Sequence, residues 1–137
     1  MYIKRNIEEI INKISNKYQV LVLIGPQNIG KTSLLKHITN KRNYRYLSLE
    51  DLMLRNLAIA DPSLFLQRYS APIIIDEIQY APNLLNYIKS YVEQFNINDN
   101  IWLTSSIRLP ILNDINKILG KQVAIIDLQG LSLNEIN

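Results

Sequence analysis

The segment Gly25–Thr32, GPQNIGKT, constrains the fold more than any other part of the chain. It matches G-x-x-x-x-G-K-[ST], a loop pattern that binds phosphate groups. The apolar run Val20–Ile24 before it is typical of a buried parallel strand, and Ser33–Ile38 after it has helical spacing. This order aims backbone N–H groups and the helix dipole at one point, which favours an anion there. The sequence predicts a nucleoside triphosphate site; the alternative is a chance glycine turn.

The residues of this loop have separate predicted roles. Gly25 and Gly30 permit close approach of the backbone to a ligand. Lys31 is expected to reach the β- and γ-phosphates, and the Thr32 hydroxyl is expected to ligate Mg²⁺. The predicted nucleotide-binding residues are Gly25, Pro26, Gln27, Asn28, Ile29, Gly30, Lys31, Thr32 and Ser33.

Apolar strands alternate with helical segments along the rest of the chain. A length of 137 residues favours one domain with a real core. Alternation of strands and helices predicts an α/β fold with a parallel sheet and helices on both faces. Besides Val20–Ile24, strands are expected at 44–49, 72–76, 101–104 and 123–128, and helices at 7–18, 33–40, 50–69 with a break at 61–62, 83–95 and 110–119.

Two adjacent carboxylates, Asp76 and Glu77, follow the apolar strand residues Ile73–Ile75. Ligands of parallel sheets collect at the carboxyl ends of strands, so both side chains are expected to face the phosphate loop. Asp76 is predicted to hold Mg²⁺, and Glu77 is predicted to be the catalytic base that polarises an attacking water. The alternative is a strand that merely ends in charged residues.

Three hydroxyl residues, Thr104, Ser105 and Ser106, end the predicted fourth strand. One of them is expected to orient the attacking water, and Thr104 is taken into the predicted catalytic set with Glu77 and Lys31. The alternative is a turn whose hydroxyl groups cap the next element.

Composition excludes several other functions. The chain has no cysteine, which excludes disulfides and thiolate zinc sites. A net charge of +3 supports a nucleic-acid partner only weakly. Basic and aromatic residues cluster at 41–46, but we interpret this cluster as a solvated loop rather than a stacking surface. No apolar run could cross a membrane and no signal-peptide core is present, so a cytoplasmic location is expected.

The motifs resemble those of AAA-like ATPases in the AAA domain 14 family, within the archaeal-type and signal-transducing ATPases. The segments that carry the resemblance are GPQNIGKTSLL, YLSLED, IIIDEIQYAPNLLNYIK, IWLTSS and Ile118–Glu135. The resemblance implies a P-loop NTPase fold of the ASCE/AAA-like type, three layers αβα, with a five-stranded parallel sheet of order 5-1-4-3-2. It also implies ATP and Mg²⁺ as cofactors, with Lys31 and Thr32 on the nucleotide, Asp76 on the metal and Glu77 as base.

The chain departs from the family pattern before its last strand. Gln122 stands where arginine is common and cannot supply a guanidinium, and the neighbouring Lys121 has different geometry. Arg108 is a candidate arginine finger for a neighbouring subunit, with a solvated loop residue as the favoured alternative. The resemblance also implies a helical lid and a carboxyl-terminal domain, so residues 1–137 are expected to be the ATPase core without them.

The expected function is therefore Mg²⁺-dependent ATP hydrolysis, slow in isolation and coupled to conformational change or assembly. The expected partners are ATP and a homo-oligomer or another protein. Two alternatives remain open: a non-catalytic nucleotide-binding switch or interaction module, and an ATP-dependent DNA-associated protein. Adjacent Asp76 and Glu77 argue against a small-molecule kinase, and the lack of an N-K-x-D segment argues against a GTPase.

Overall fold

The computed structural model describes residues 17–26, 35, 44–98 and 100–128. Within them, five parallel strands form one sheet in the order β2-β3-β4-β1-β5. The predicted order 5-1-4-3-2 is this order seen from the other edge, so the predicted α/β fold and topology are confirmed. The strands are β1 (Val20–Ile24), β2 (Arg45–Ser48), β3 (Ile73–Asp76), β4 (Ile101–Ser105) and β5 (Val123–Asp127).

The described helices match the predicted ones to within about two residues at most ends. They are α1 (Leu52–Ala60), α2 (Pro62–Arg68), α3 (Leu84–Phe95) and α4 (Ile111–Leu119), with short 3₁₀ turns at Ile78–Tyr80 and Gly120–Gln122. The predicted break is confirmed, because the Asp61 side chain accepts from the Leu64 N–H and Pro62 occupies the first turn of α2. The predicted helix at 33–40, apart from residue 35, and most of the one at 7–18 lie outside the described residues.

The three central strands β1, β3 and β4 are buried on both faces. Side chains alternate across a strand, so Val22 and Leu103 pack on one face while Leu23 and Trp102 pack on the other. The first face is covered by residues from all four described helices. Leu35, from the segment after the phosphate loop, packs on the second face. Burial on both faces explains why these strands read as continuous apolar runs.

The register places the carboxyl ends of the five strands within about one residue of one another. Ile24 at the end of β1 pairs with Ser105 of β4 and with Asp127 of β5. Ser48 at the end of β2 pairs with Asp76 of β3. Polar residues that follow or end these strands are thereby gathered along one edge of the sheet.

In the described ranges, none of the helices has the length and apolar character that crossing a membrane requires.

Replacing Leu103 tests the two-faced core. Leu103 is fully buried in β4, at the centre of the sheet. We expect Leu103→Ala to lower the free energy of unfolding by about 2–5 kcal/mol, because it removes buried methyl groups and leaves a cavity. The matched control is Leu52→Ala at the exposed start of α1, with an expected change within about 0.5 kcal/mol. Urea unfolding followed by circular dichroism measures both, and equal losses would contradict the described core.

Candidate functional site

Asp76, the last residue of β3, is held by hydroxyl groups from both neighbouring strands. The Tyr46 hydroxyl of β2 donates to Asp76 Oδ2 at 2.6 Å, and the Thr104 hydroxyl of β4 donates to Oδ1. Asp76 is only 6% exposed. Hydroxyl donors fix the carboxylate oxygens without adding a positive charge, so the local negative charge is not neutralised by these two contacts.

Thr104 links the two predicted acids. Its hydroxyl donates to Asp76 and accepts the backbone N–H of Glu77 at 3.0 Å. Thr104 is fully buried in the sheet. A hydroxyl has one proton, so in this arrangement Thr104 cannot also donate to an attacking water. Its catalytic role stays a prediction, and its described role is to hold the end of β3 in place.

Glu77 turns its side chain towards the end of β4. Its backbone is left-handed, with φ 62° and ψ 56°, at the start of the 3₁₀ turn Ile78–Tyr80. This conformation costs a non-glycine residue about 1–2 kcal/mol and is tolerated where the surroundings enforce it. The Ser106 backbone N–H donates to Glu77 Oε1 and the Ser106 hydroxyl donates to Oε2, both at 2.9 Å. The carboxylate is therefore fixed at the edge of the sheet, with Glu77 1% exposed.

The three hydroxyl residues at the end of β4, Thr104, Ser105 and Ser106, have different roles, which the sequence could not separate. Thr104 contacts Asp76 and Ser106 contacts Glu77. Ser105 instead closes its own loop, because its hydroxyl donates to the Ile107 carbonyl at 2.5 Å and accepts the Ile107 N–H at 3.1 Å. Ser105 therefore forms a local turn but does not cap α4, which begins at Ile111 without a side-chain cap, while its two neighbours reach the predicted acids.

The start of the phosphate loop lies beside the end of β4. The Gly25 N–H donates to the Ser105 carbonyl at 3.1 Å. Since β4 separates β1 from β3, the loop begins two strand spacings, about 10 Å, from the strand that carries Asp76. Pro26 is described as well. The remaining predicted nucleotide-binding residues lie outside the described residues: Gln27, Asn28, Ile29, Gly30, Lys31, Thr32 and Ser33.

Tyr46 is a site residue that the sequence interpretation missed, because it was grouped with basic residues of a loop. It lies in β2 and is half-buried, and its hydroxyl contacts Asp76. The parallel pairing of β2 with β3 is the feature that identifies Tyr46. It places Tyr46 beside Ile74, and Ile74 is two residues before Asp76, so all three side chains lie on the same face of the sheet. Arg45, its neighbour, is exposed and lies over the ring of Tyr69 at 6.0 Å. Residues 41–43 lie outside the described residues.

Arg108 forms an ion pair with Asp127 at the end of β5. Because β1 lies between β4 and β5, this pair crosses the end of β1 where the phosphate loop begins. Arg108 is 56% exposed and Asp127 is 30% exposed, so water screens the pair. Arg108 thus contacts its own chain, and a role as arginine finger towards a neighbour would require this pair to open.

The donor set at the edge of the sheet fits Mg²⁺. Asp76 supplies a hard carboxylate oxygen, and Mg²⁺ is usually held by one or two carboxylates together with waters and phosphate oxygens. In the part of the chain that the structure describes, His, Cys, Asp and Glu form no group of three or more that could hold a metal by themselves. A single carboxylate such as Asp76 fits a Mg²⁺ ion that takes its other ligands from water and phosphate oxygens. Thr32, the other predicted ligand, lies outside the described residues.

A parallel sheet of this order, with a glycine-bounded loop after β1 and carboxylates at the end of β3, defines a P-loop NTPase fold. Residues 17–137 match the family AAA_14, described as an AAA domain. The chain belongs to this family of AAA-type, nucleotide-binding ATPase domains.

Among solved structures, the chain is similar to a Walker-type ATPase of Pyrococcus abyssi, with a TM-score of 0.54 and 16% sequence identity. The match covers 99% of this chain and 58% of the Pyrococcus protein, so the chain spans less than two thirds of that protein's length. At this identity the likeness concerns the fold alone. No curated protein matches the chain significantly.

The Tyr46 hydroxyl provides a test of how Asp76 is held. We expect Tyr46→Phe to lower the free energy of unfolding by about 1.5–3 kcal/mol, the usual range for a hydrogen bond to a charged group. Tyr87→Phe on α3, where Tyr87 is 44% exposed, is the matched control and should change it by less than about 0.5 kcal/mol. Urea unfolding at neutral pH measures both variants. A Tyr46→Phe protein as stable as the control would show that this contact does not stabilise the fold.

Proposed function

We propose that this domain binds ATP with Mg²⁺ and hydrolyses it, slowly in isolation, and that hydrolysis drives a conformational change or assembly. The observation that carries the proposal is the pair of buried acids, Asp76 and Glu77. Hydroxyl groups at the end of β4 and just after it hold both acids near the start of the phosphate loop. A buried carboxylate destabilises the fold unless hydrogen-bond donors replace its water. Both acids have such donors, which also fix the orientation of their carboxylates. Family membership supports the choice of a nucleotide as ligand.

Each residue has a proposed role towards the nucleotide. The backbone of residues 25–33 cradles the phosphates, and Lys31 neutralises charge on the β- and γ-phosphates. Thr32 and Asp76 hold Mg²⁺, which when bound supplies positive charge to the phosphate oxygens. Glu77 accepts a proton from the water that attacks the γ-phosphate. Thr104 contacts both the Asp76 carboxylate and the Glu77 backbone, and so holds the end of β3 in place.

The proposed slowness has a physical reason. Phosphoryl transfer is accelerated when a guanidinium neutralises charge that develops on the γ-phosphate. Gln122 cannot provide that charge, and Arg108 is paired with Asp127 in the same chain. We therefore propose that a protein partner or another copy of the chain completes the site, either by donating a cation or by releasing Arg108 from Asp127.

Replacing Glu77 tests the proposed catalytic base. We expect Glu77→Gln to lower ATP hydrolysis by about 10²- to 10⁴-fold, because glutamine cannot accept the proton, while ATP affinity stays within about threefold. Glu93→Gln, an exposed position on α3, is the matched control and should hydrolyse like wild type. Phosphate release at saturating Mg-ATP measures the rates, and calorimetric titration measures affinity.

The same measurements separate the competing functions. Equal hydrolysis by wild type and Glu77→Gln would remove Glu77 from the mechanism. Tight ATP binding without turnover, with or without partners, would favour a non-catalytic nucleotide switch. Salt-sensitive binding to DNA that depends on ATP would favour the DNA-associated alternative. Titrations with ADP and GTP establish which nucleotide the domain prefers.

Replacing Asp76 tests the proposed metal site separately from the base. We expect Asp76→Asn to weaken binding of Mg-ATP by about 10- to 100-fold, because a neutral amide is a poor Mg²⁺ ligand, and to leave binding of Mg²⁺-free ATP unchanged. Asp114→Asn, in the first turn of α4, is the control for loss of one negative charge. Calorimetric titrations with Mg²⁺ and with EDTA measure both. Equal losses in the two conditions would contradict a metal-binding role.

A further inference from the structure

Ser106 holds the carboxylate that the proposed mechanism uses as its base. Its backbone N–H and its hydroxyl each donate to a different oxygen of Glu77, at 2.9 Å. Two donors from one residue fix both the position of a carboxylate and the plane of its oxygens. An ionised carboxylate has about four lone-pair sites, so the two contacts with Ser106 do not by themselves use up its capacity as an acceptor. Holding by Ser106 is therefore compatible with the proposed role of Glu77 as a base.

Gln79 donates a hydrogen bond to the Ser106 hydroxyl. Gln79 Nε2 lies 3.2 Å from Ser106 Oγ. A carboxylate only accepts, so the single hydroxyl proton of Ser106 must go to Glu77, and the group that Gln79 turns towards Ser106 must be its NH₂. The hydrogen bonds thus run in one direction, from Gln79 to Ser106 to Glu77.

Gln79 adopts this orientation at a cost to stability. Its Oε1 is buried and has no hydrogen-bond partner among the described residues. A buried acceptor without a partner is destabilising, and such groups are unusual enough in folded proteins to require a reason. The contact with Ser106 supplies that reason, because the only hydrogen bond that this side chain makes within the described structure supports the residue that holds Glu77.

We propose that Ser106 is a positioning residue for Glu77 in ATP hydrolysis, and that Gln79 positions Ser106. This inference rests on the proposed function, in which Glu77 is the base. Ser106 acts through Glu77, by keeping its carboxylate at the place where the attacking water must be deprotonated. Gln79 acts one step further away, by orienting the Ser106 hydroxyl.

The first experiment compares Ser106→Ala with Ser106→Thr in steady-state ATP hydrolysis. We expect Ser106→Ala to lower kcat by about 10- to 100-fold, the equivalent of one hydrogen bond to a charged group, with KM for ATP within about twofold. Ser106→Thr keeps a hydroxyl at the same place and should recover kcat to within about threefold. Ser90→Ala is the matched control, because Ser90 lies on the exposed side of α3 and its hydroxyl donates to the Asn86 carbonyl of the same helix.

The second experiment repeats Ser106→Ala in the Glu77→Gln background. If Ser106 acts only through Glu77, the double variant should hydrolyse ATP at the rate of Glu77→Gln alone. A merely structural role would lower the rate by the same factor in both backgrounds and would also raise KM. Such an additive result would overturn the inference.

The third experiment separates the role of Gln79 from a contribution to stability. Gln79→Met keeps a similar volume, but it removes both the donor to Ser106 and the buried acceptor that lacks a partner. We expect kcat to fall several-fold while the urea midpoint of unfolding stays the same or rises. A lower midpoint with an unchanged kcat would overturn the role of Gln79.

The outcomes distinguish this inference from the proposed function. Wild-type hydrolysis by Glu77→Gln would overturn both, because Glu77 would then not be the base. Slow hydrolysis by Glu77→Gln together with wild-type kcat in Ser106→Ala would overturn only the positioning role of Ser106.

Discussion

Burial of β1, β3 and β4 on both faces is the constraint on which the rest of the molecule depends. Strands covered on two sides have no room for polar side chains along their length, so polar groups occur where the strands end. In a parallel sheet those ends lie at one edge, which is why Asp76, Thr104 and the start of the phosphate loop are neighbours. The apolar core that stabilises the domain therefore also assembles its candidate site.

Burial of Asp76 and Glu77 has an energetic cost, and hydrogen bonds within the site offset it. Asp76 and Glu77 are almost inaccessible to water, and a buried carboxylate needs hydrogen-bond donors in place of its solvent. The donors described above are neutral hydroxyl and backbone N–H groups from neighbouring segments of the chain. These hydrogen bonds fix the orientation of the two carboxylates, which a metal-binding or proton-accepting role requires.

The resemblance to AAA-like ATPases implied the strand order, whereas apolar periodicity alone predicted a parallel sheet in which Asp76 and Glu77 follow a buried strand. The sequence could not assign Ser106 to Glu77, since that contact depends on the left-handed backbone at Glu77 and on the path of the loop after β4. Tyr46 was missed because its role depends on the register between β2 and β3. The helix after the phosphate loop and residues Lys31 and Thr32 stay predictions, since they lie outside the described residues.

The ion pair between Arg108 and Asp127 has a consequence for how easily the guanidinium can be recruited. An exposed pair of this kind contributes at most about 1 kcal/mol, so at that limit it is open in roughly one molecule in six at 25 °C. An anion above the end of β1 would compete with Asp127 for the Arg108 guanidinium, and the free energy that it must overcome is small. A modest electrostatic gain from such an anion is enough to reverse the preference of Arg108, with no rearrangement of the strands beneath it.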